Sequence, residues 1–443
     1  MNNPGLTVIG AGLAGCEAAF AAAGRGIPVT LWEQKPLRRS PAHSGDGFAE
    51  LVCSNSLKAQ RLGSAAGLLK AEMERMGSIC MEAARACAVP AGGALAVDRD
   101  AFSQYITEKL AAHPNIMIEH KVCEAIPAQG AVVVATGPLT DGALAEDIER
   151  LCGARLAFYD AAAPIVTAES LCMEHIFTQS RYDRGGADDY LNCPLNKEQY
   201  ERFQEALCGA QTALVHDFDV YEGCMPIEVL AARGKDAIRF GPMKPVGLRD
   251  PRTGRRPWAV LQLRRENKEG SLYNLVGFQT NLKFGEQQRV FGMIPALENA
   301  EFVRYGVMHR NSFLSSPGLL DLNFALRRDP RVFFAGQITG VEGYMESALS
   351  GLLAGQNAAR RLWGKSPLLL PQTTMSGALS RYVSEYEGKD FQPMGANFGI
   401  LPPLSERIKD KRLRYEALAN RGLSDLEQAL KEANFDNREM EGV

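Results

Sequence analysis

Apolar and glycine-rich stretches follow one another at the start of the chain in an order that predicts a strand, a helix and a second strand. The apolar run that ends at Val8 and Ile9 predicts a buried strand. The alanine-rich stretch from residue 13 to about residue 24 predicts a helix, and residues 28–33 predict a second strand that ends in a carboxylate. This order is typical of the opening of a parallel α/β sheet.

The turn between the first strand and the helix has the Gly-x-Gly-x-x-Gly spacing of a dinucleotide-binding loop. Gly10 allows the tight turn, Gly12 lets the backbone approach a pyrophosphate, and Gly15 lets the helix pack closely on the strand. Glu33 follows roughly 20 residues later, where such a fold needs an acceptor for a ribose hydroxyl. The residues expected to bind a dinucleotide here are Gly10, Ala11, Gly12, Leu13, Ala14, Gly15 and Glu33.

Two later apolar runs predict further strands of the same sheet. Residues 131–138 end in Ala-Thr-Gly, and residues 332–337 end in Gly-Gln and lead into a helix that extends to about residue 362. In many two-dinucleotide flavoproteins the matching strands pass under the cofactor, and an acid often stands where Gln337 stands here. Together with the opening motif they indicate one bound FAD, with Thr136, Gly137, Gly336, Gln337 and Gly340 as further ligands.

The pattern changes between residues 151 and 323, where proline, aromatic and charged residues become more frequent and the strand–helix alternation is lost. We therefore expect a Rossmann-like FAD-binding domain, formed by residues 1–150 and 324–443, that is interrupted by an α+β insertion domain at residues 151–323. Within the first domain, residues 67–86 predict one helix, and residues 89–97 are so rich in glycine that they predict a loop.

Composition narrows the function classes. The chain has 443 residues and a formal net charge of −3, so nucleic-acid binding would need a local basic face. Its ten cysteines stand singly, with no Cys-x-x-Cys pair, which argues against metal centres and a disulfide scaffold and fits a reducing cytoplasm. The apolar start lacks a basic leader, and no stretch has the apolar length of a membrane span.

Cys53 lies among small polar residues, within residues 48–58, that favour turns and helix N-caps. A thiol at a helix N-terminus has a lowered pKa, so Cys53 is a candidate reactive thiolate. The same thiol could instead be a small apolar filler in a packed turn. This stretch by itself leaves both interpretations open.

A basic run surrounds Trp258, and a run of this kind is usually only a solvated face. Glu266 and Glu269 dilute it, but it could also be the local basic face that binding to a polyanion would need. A second basic stripe is predicted on a C-terminal helix between residue 404 and about residue 433. The candidate phosphate contacts are Arg249, Arg252, Arg255, Arg256, Arg264 and Arg265.

Five stretches together resemble the folate- and FAD-dependent tRNA (uracil-5-)-methyltransferases, and the resemblance extends essentially from end to end. They are residues 48–58, 221–228, 240–248, 305–311 and 334–350. The resemblance implies transfer of a methylene group from methylenetetrahydrofolate to carbon-5 of the T-loop uridine of tRNA, which forms ribothymidine. It also implies reduced FAD as the reductant, NADH or NADPH as the electron source, tRNA as the partner and no obligatory protein partner.

The family pattern includes two cysteines, which are present here as Cys53 and Cys224. Carbon-5 of uracil becomes nucleophilic only after a thiolate adds at carbon-6, and Cys224 is the candidate for that nucleophile. Cys53 is the candidate for the base that removes the proton from carbon-5, or for a group that guards the intermediate. His309 and Tyr344 are candidates for folate contact, because a pterin needs a flat partner opposite the flavin.

Three alternatives remain open at this point. The larger tRNA wobble-uridine modification flavoprotein shares the cofactors, but it carries a long C-terminal domain that this chain is too short to hold. The others are an FAD oxidoreductase with a small-molecule substrate and a flavin-bearing RNA-binding module with structural cysteines. The two cysteines and the basic insertion favour the methyltransferase, because an oxidoreductase needs neither.

Overall fold

The computed structural model describes residues 5–40, 42–153, 155–161, 163–183, 186, 189–213, 225–265, 270, 272–306, 308–387, 391 and 393–435. Its strands are Leu6–Ile9 (β1), Val29–Glu33 (β2), Ser56–Ala59 (β3), Ala88–Val89 (β4), Ala94–Val97 (β5), Ile116–His120 (β6), Ala131–Val134 (β7), Arg155–Ala161 (β8), Ile165–Thr167 (β9), Phe177–Thr178 (β10), Tyr190–Leu195 (β11), Ala259–Arg265 (β12), Leu272–Leu275 (β13), Phe302–Arg304 (β14), Met308–Leu314 (β15), Ala325–Leu326 (β16) and Asp329–Phe334 (β17). Its helices are Leu13–Ala23 (α1), Ala65–Arg75 (α2), Ile79–Ala86 (α3), Arg99–Ala111 (α4), Gly142–Cys152 (α5), Lys197–Cys208 (α6), Ile227–Ala232 (α7), Ala237–Phe240 (α8), Phe284–Phe291 (α9), Tyr344–Leu362 (α10), Met375–Glu385 (α11) and Lys411–Glu432 (α12).

The first sheet brings together the strands at the two ends of the chain. Its order is β16-β17-β7-β1-β2-β6, and every neighbouring pair is parallel except the edge pair β16–β17. β1 and β7 are almost wholly apolar because both faces of a central parallel strand are covered by helices. The expected α/β class, with a Rossmann-like dinucleotide-binding arrangement, is confirmed.

The second sheet is built only from strands between residues 165 and 304. Its order is β10-β11-β12-β13-β9-β14, and its neighbouring strands are antiparallel. It has a hydrophobic cluster of its own, to which α6, α7 and α9 contribute. β8 and β15 pair antiparallel as a separate ribbon where the chain leaves and re-enters the neighbourhood of the first sheet.

Three local predictions were wrong in their details. Residues 67–86 form two helices, because Gly77 adopts a φ of 77° and Ser78 then caps α3 by accepting from the Met81 N–H. The expected loop at residues 89–97 contains β5, which pairs with both β3 and β4. The C-terminal helix begins at residue 411, where Asp410 caps it, and not near residue 404.

α1 packs on α10 at backbone contact distance. A Cβ on Gly351 would lie 2.0 Å from the carbonyl oxygen of Ala14, and one on Gly355 would lie 2.3 Å from that of Ala18. Only glycine permits this approach, because the atoms it meets are main-chain atoms that cannot rotate away. The contact holds the first turn of α1 against the helix that follows the last strand of the sheet. Within the described residues, no helix has both the length and the apolarity needed to cross a bilayer.

The Gly351→Ala variant should lower the free energy of unfolding by about 1–3 kcal/mol or more, because the added methyl group overpacks a backbone contact. Gly285→Ala is the matched control, since Gly285 is also helical but a Cβ there meets nothing within 4 Å. The control should be neutral or slightly stabilising. Thermal unfolding followed by circular dichroism measures both, and equal melting temperatures would contradict the packing argument.

Candidate functional site

A cleft opens at the carboxyl ends of β1 and β7, where ligands bind in open α/β sheets. Its wall is built from the glycine turn, the loops that follow β2 and β7, the Cys53 loop (residues 48–55) and the start of α10. Of the residues expected to bind FAD, the cleft is lined by Gly10, Ala11, Gly12, Leu13, Ala14, Glu33, Thr136, Gly137, Gly336 and Gln337.

The glycine turn has the shape that a pyrophosphate requires. Gly10 has a φ of 96°, and a Cβ there would lie 2.7 Å from the carbonyl oxygen of Ala135. A Cβ on Gly12 would meet no protein atom within 4 Å, so it would project into the cleft where the cofactor belongs. The N-terminus of α1 starts at this point, and its free N–H groups and positive dipole end favour an anion.

Glu33 is buried at the end of β2, and its carboxylate faces this turn. One oxygen accepts a hydrogen bond of 2.7 Å from the Ala11 N–H, and the other accepts one of 2.8 Å from the Lys35 N–H. A carboxylate fixed in this way has lone pairs left for the hydroxyls of a ribose. The residues of this cleft therefore fit the adenosine end of a dinucleotide.

Two predicted FAD ligands lie behind the wall rather than on it. A Cβ on Gly15 would lie 1.7 Å from the carbonyl oxygen of Gly10, so Gly15 serves the helix–strand contact. Gly340 has a φ of 85°, and a Cβ there would lie 2.5 Å from the ring of Phe391. Gly336, in contrast, lines the cleft, and its N–H donates to Ser350 Oγ at 2.7 Å.

Cys53 lies on the cleft wall and is half-buried. Tyr344, at the start of α10, holds the loop in place, because its hydroxyl oxygen accepts hydrogen bonds from the Cys53 N–H at 2.6 Å and the Ser54 N–H at 3.0 Å. Burial raises the pKa of the Tyr344 phenol. The chain continues from this loop into β3 rather than into a helix, so the argument for a reactive thiol from a helix N-terminus was wrong.

The sequence predicted Arg264 as part of an exposed basic surface, but in the structure this side chain is buried. It is 7% exposed, and its guanidinium donates from Nε to Asn55 Oδ1 at 3.0 Å and from Nη2 to Ser54 Oγ at 2.6 Å. Arg264 belongs to β12 of the second sheet, whereas Ser54 and Asn55 belong to the Cys53 loop. This side chain therefore joins the second sheet to the Cys53 loop at the cleft and is not available to a phosphate on the surface.

The other arginines of the basic run are at least partly exposed. Arg252 forms an ion pair of 2.8 Å with Asp250, which also anchors the turn before Trp258. Arg249, Arg255 and Arg256 are exposed on the same turn, and Arg265 is partly exposed at the end of β12.

Two predicted site residues cannot be placed in the cleft from this structure. Cys224 lies outside the described residues, and the chain is described again from Met225, just before α7. The backbone of His309 pairs with that of Asp160 in the β8–β15 ribbon. The side chain of His309 is not among those that the structure describes.

Charged side chains of the cleft wall were missed in the sequence. Lys35 and Glu50 approach to 3.7 Å, and burial together with the Lys35 charge lowers the pKa of His43. Lys121 lies 3.5 Å from the ring centroid of Trp32 at the same end of the cleft. The polar loop after β2 was the only signal in the sequence, and it did not identify which of its residues face a ligand.

Comparison with known proteins places the chain in a family. The family described as "Glucose inhibited division protein A" matches residues 5–366. Two proteins named "Methylenetetrahydrofolate--tRNA-(uracil-5-)-methyltransferase TrmFO" are similar over nearly their whole length. The one from Heliobacterium modesticaldum is 57% identical over 431 residues, which cover 96% of this chain and 98% of the relative. The one from Halalkalibacterium halodurans is 54% identical over 435 residues, which cover 97% and 100%.

Solved structures agree on the fold. Aquifex aeolicus GidA in its form II crystal superposes with a TM-score of 0.71 at 16% identity, over 99% of this chain and 75% of that chain. Its form I crystal gives a TM-score of 0.70 at 17% identity. The fold, the matched family and the near full-length identity to these relatives agree, and the chain belongs to the methylenetetrahydrofolate–tRNA-(uracil-5-)-methyltransferases within the GidA family.

Proposed function

We propose that this chain methylates carbon-5 of the T-loop uridine of tRNA, with methylenetetrahydrofolate as the one-carbon donor and reduced FAD as the reductant. NADH or NADPH supplies the electrons, and the cytoplasm is the compartment. The observation that carries the proposal is the 57% identity, over almost the full length, to a relative named for this reaction. The half-buried Cys53 on the wall of a dinucleotide-shaped cleft supports it.

FAD would be held by the glycine turn, Glu33 and the residues after β7 and β17. The open space in front of Gly12 and the anchored Glu33 carboxylate are the observations that fit it. When bound in its reduced form, FAD would supply the two electrons that reduce the transferred methylene group to a methyl group. The protein's own part is to bind the substrates, exclude water and move a proton at carbon-5.

The uracil chemistry needs a nucleophile and a base. A thiolate must add at carbon-6 to activate carbon-5, which is nucleophilic catalysis, and we assign that role to Cys224. A second group must accept the proton that leaves carbon-5, and we assign that role to Cys53. The position of Cys53 on the cleft wall supports its role as the proton acceptor. The family resemblance supports the role of Cys224 as the nucleophile.

The substrates would approach from the side of the second sheet. Arg249, Arg252, Arg255, Arg256 and Arg265 would contact tRNA phosphates, which makes the binding dependent on salt. The target uridine must leave its loop to reach a thiol, as in other enzymes that act on a base. Tyr344 would form a flat wall for the pterin, and His309 remains a proposed folate contact.

We also propose that residues 1–150 and 324–443 form one domain and that residues 151–323 form an insertion domain. The separate hydrophobic clusters around the two sheets support this division. The β8–β15 ribbon, which pairs the segment after residue 151 with the segment before residue 323, supports it as well.

Purified protein incubated with unmodified tRNA, labelled methylenetetrahydrofolate and NADH should place label in ribothymidine. Nucleoside analysis of the digested tRNA measures the product. A tRNA in which the T-loop uridine is replaced by cytidine is the control and should stay unlabelled. Incorporation that requires S-adenosylmethionine in place of the folate would overturn the proposal.

Cys224→Ala should abolish both turnover and covalent trapping of tRNA that carries 5-fluorouracil, because the adduct at carbon-6 no longer forms. Cys53→Ala should abolish turnover but still trap that tRNA. Gel-shift of the denatured complex measures trapping, and Cys208→Ala, which changes an exposed thiol on α6, is the control. The opposite pattern would exchange the roles of Cys53 and Cys224.

Gly12→Val should leave the fold intact but reduce bound FAD about tenfold or more, which corresponds to about 1.4 kcal/mol or more. Gly12 has an ordinary φ of −72°, so the new side chain would occupy cofactor space without straining the backbone. Flavin released on heating measures the effect. Gly93→Val is the control, because Gly93 lies on an exposed loop with open space around it. Equal FAD contents in the two variants would contradict the proposal that the glycine turn holds the pyrophosphate.

A further inference from the structure

A charged residue of the second sheet contacts the loop that holds Cys53. Arg264 reaches from β12 to the Cys53 loop, where it donates to Ser54 Oγ and Asn55 Oδ1. Asn55 is fully buried, and its Nδ2 donates in turn to the carbonyl oxygens of Val97 at 3.1 Å and Arg265 at 2.7 Å. The loop is therefore tied to both β5 and β12 within two residues of the thiol.

The groups around the Arg264 guanidinium are weak acids. Burial lowers its pKa, and the neighbouring Tyr190, Cys53 and Tyr344 groups oppose that shift. Arg99, from the start of α4, adds a second positive charge on the side of Tyr344. Within the described residues, no carboxylate approaches Arg264 closely enough to form an ion pair.

A buried cation without a carboxylate is costly unless an anion forms beside it. Tyr190 and Tyr344 do not supply that anion readily, because burial raises the pKa of each phenol. Among the described groups beside the guanidinium, Cys53 is the third acid, and the proposed function makes it a proton acceptor. A thiolate at Cys53 would therefore give the buried Arg264 guanidinium a counterion.

We propose that Arg264 is a positioning residue that holds the Cys53 loop and stabilises the thiolate of Cys53. This inference rests on the proposed function, which assigns Cys53 the proton from carbon-5. As that proton is transferred, the carbon–hydrogen bond breaks, its electron pair stays on the ring, and a sulfur–hydrogen bond forms. Because Arg264 comes from β12, Cys53 is fully activated only when the second sheet is packed against the Cys53 loop.

The test is the pH dependence of Cys53 alkylation by iodoacetamide in the FAD-loaded full chain. Mass spectrometry of the Cys53 peptide is needed because other cysteines, including exposed Cys208, also react. In Arg264→Gln the pH of half-maximal alkylation should rise by about one unit, so alkylation near neutral pH slows about tenfold. Arg264→Lys should restore most of the rate, since it keeps the charge, but not the fixed loop geometry.

Arg289→Gln is the control, because Arg289 is exposed on α9 and forms its ion pair with Glu286 of the same helix. It should leave the alkylation profile unchanged. An unchanged profile in Arg264→Gln with an unchanged melting temperature would overturn the proposal. If Arg264→Gln does not fold, Arg264→Lys is measured in its place. A pH of half-maximal Cys53 alkylation equal to that of the Arg289→Gln control supports the charge effect, and a value shifted by a full pH unit overturns it.

The alkylation assay contains neither tRNA nor folate, so it is independent of the methylation assay. A shifted profile in a protein that fails to methylate tRNA would reject the proposed function but keep the link between Arg264 and Cys53. Methylation of tRNA together with an unshifted alkylation profile would keep the proposed function and reject the link between Arg264 and Cys53.

Discussion

Close main-chain packing at glycines beneath the cleft is the constraint on which the rest of the structure depends. Gly10 and Gly15 bring the first turn of α1 against β1 and β7, and Gly351 and Gly355 bring α10 against α1. Each contact meets a carbonyl group, so the cost of any added side chain cannot be relieved by rotation. The cleft keeps its shape because these elements have no room to shift.

The second constraint is electrostatic and connects the second sheet to the Cys53 loop. Arg264 places a positive charge on this loop, next to the thiol, and Asn55 links the same loop to β5 and β12. A buried ion is a poor source of stability, because desolvation offsets most of the attraction. We propose that its value lies in function, since it biases the Cys53 thiol toward the anion only when β12 is packed against the Cys53 loop.

Local patterns could be predicted where neighbours in sequence are neighbours in space. The strand, glycine turn and helix around Gly10 and Gly12 are of this kind, and so is the acid at Glu33, which follows one strand later. The strand at 94–97 was missed because its partners β3 and β4 supply the pairing that its own composition does not indicate. The burial of Arg264 could not be predicted, because its charge and its place in the basic run around Trp258 indicated an exposed residue.

The sequence by itself determined the parallel α/β framework and the position of the dinucleotide turn, because both follow from glycine spacing and hydrophobic periodicity. Through resemblance, it also indicated the chemistry to be expected and suggested two cysteines, Cys53 and Cys224, as candidates for it. Only the tertiary structure decided which distant groups contact the Cys53 loop: Tyr344 from α10 and Arg264 from β12. Tyr344 lies 291 positions from Cys53 and Arg264 lies 210 positions from Ser54, and only tertiary packing brings these side chains to one loop.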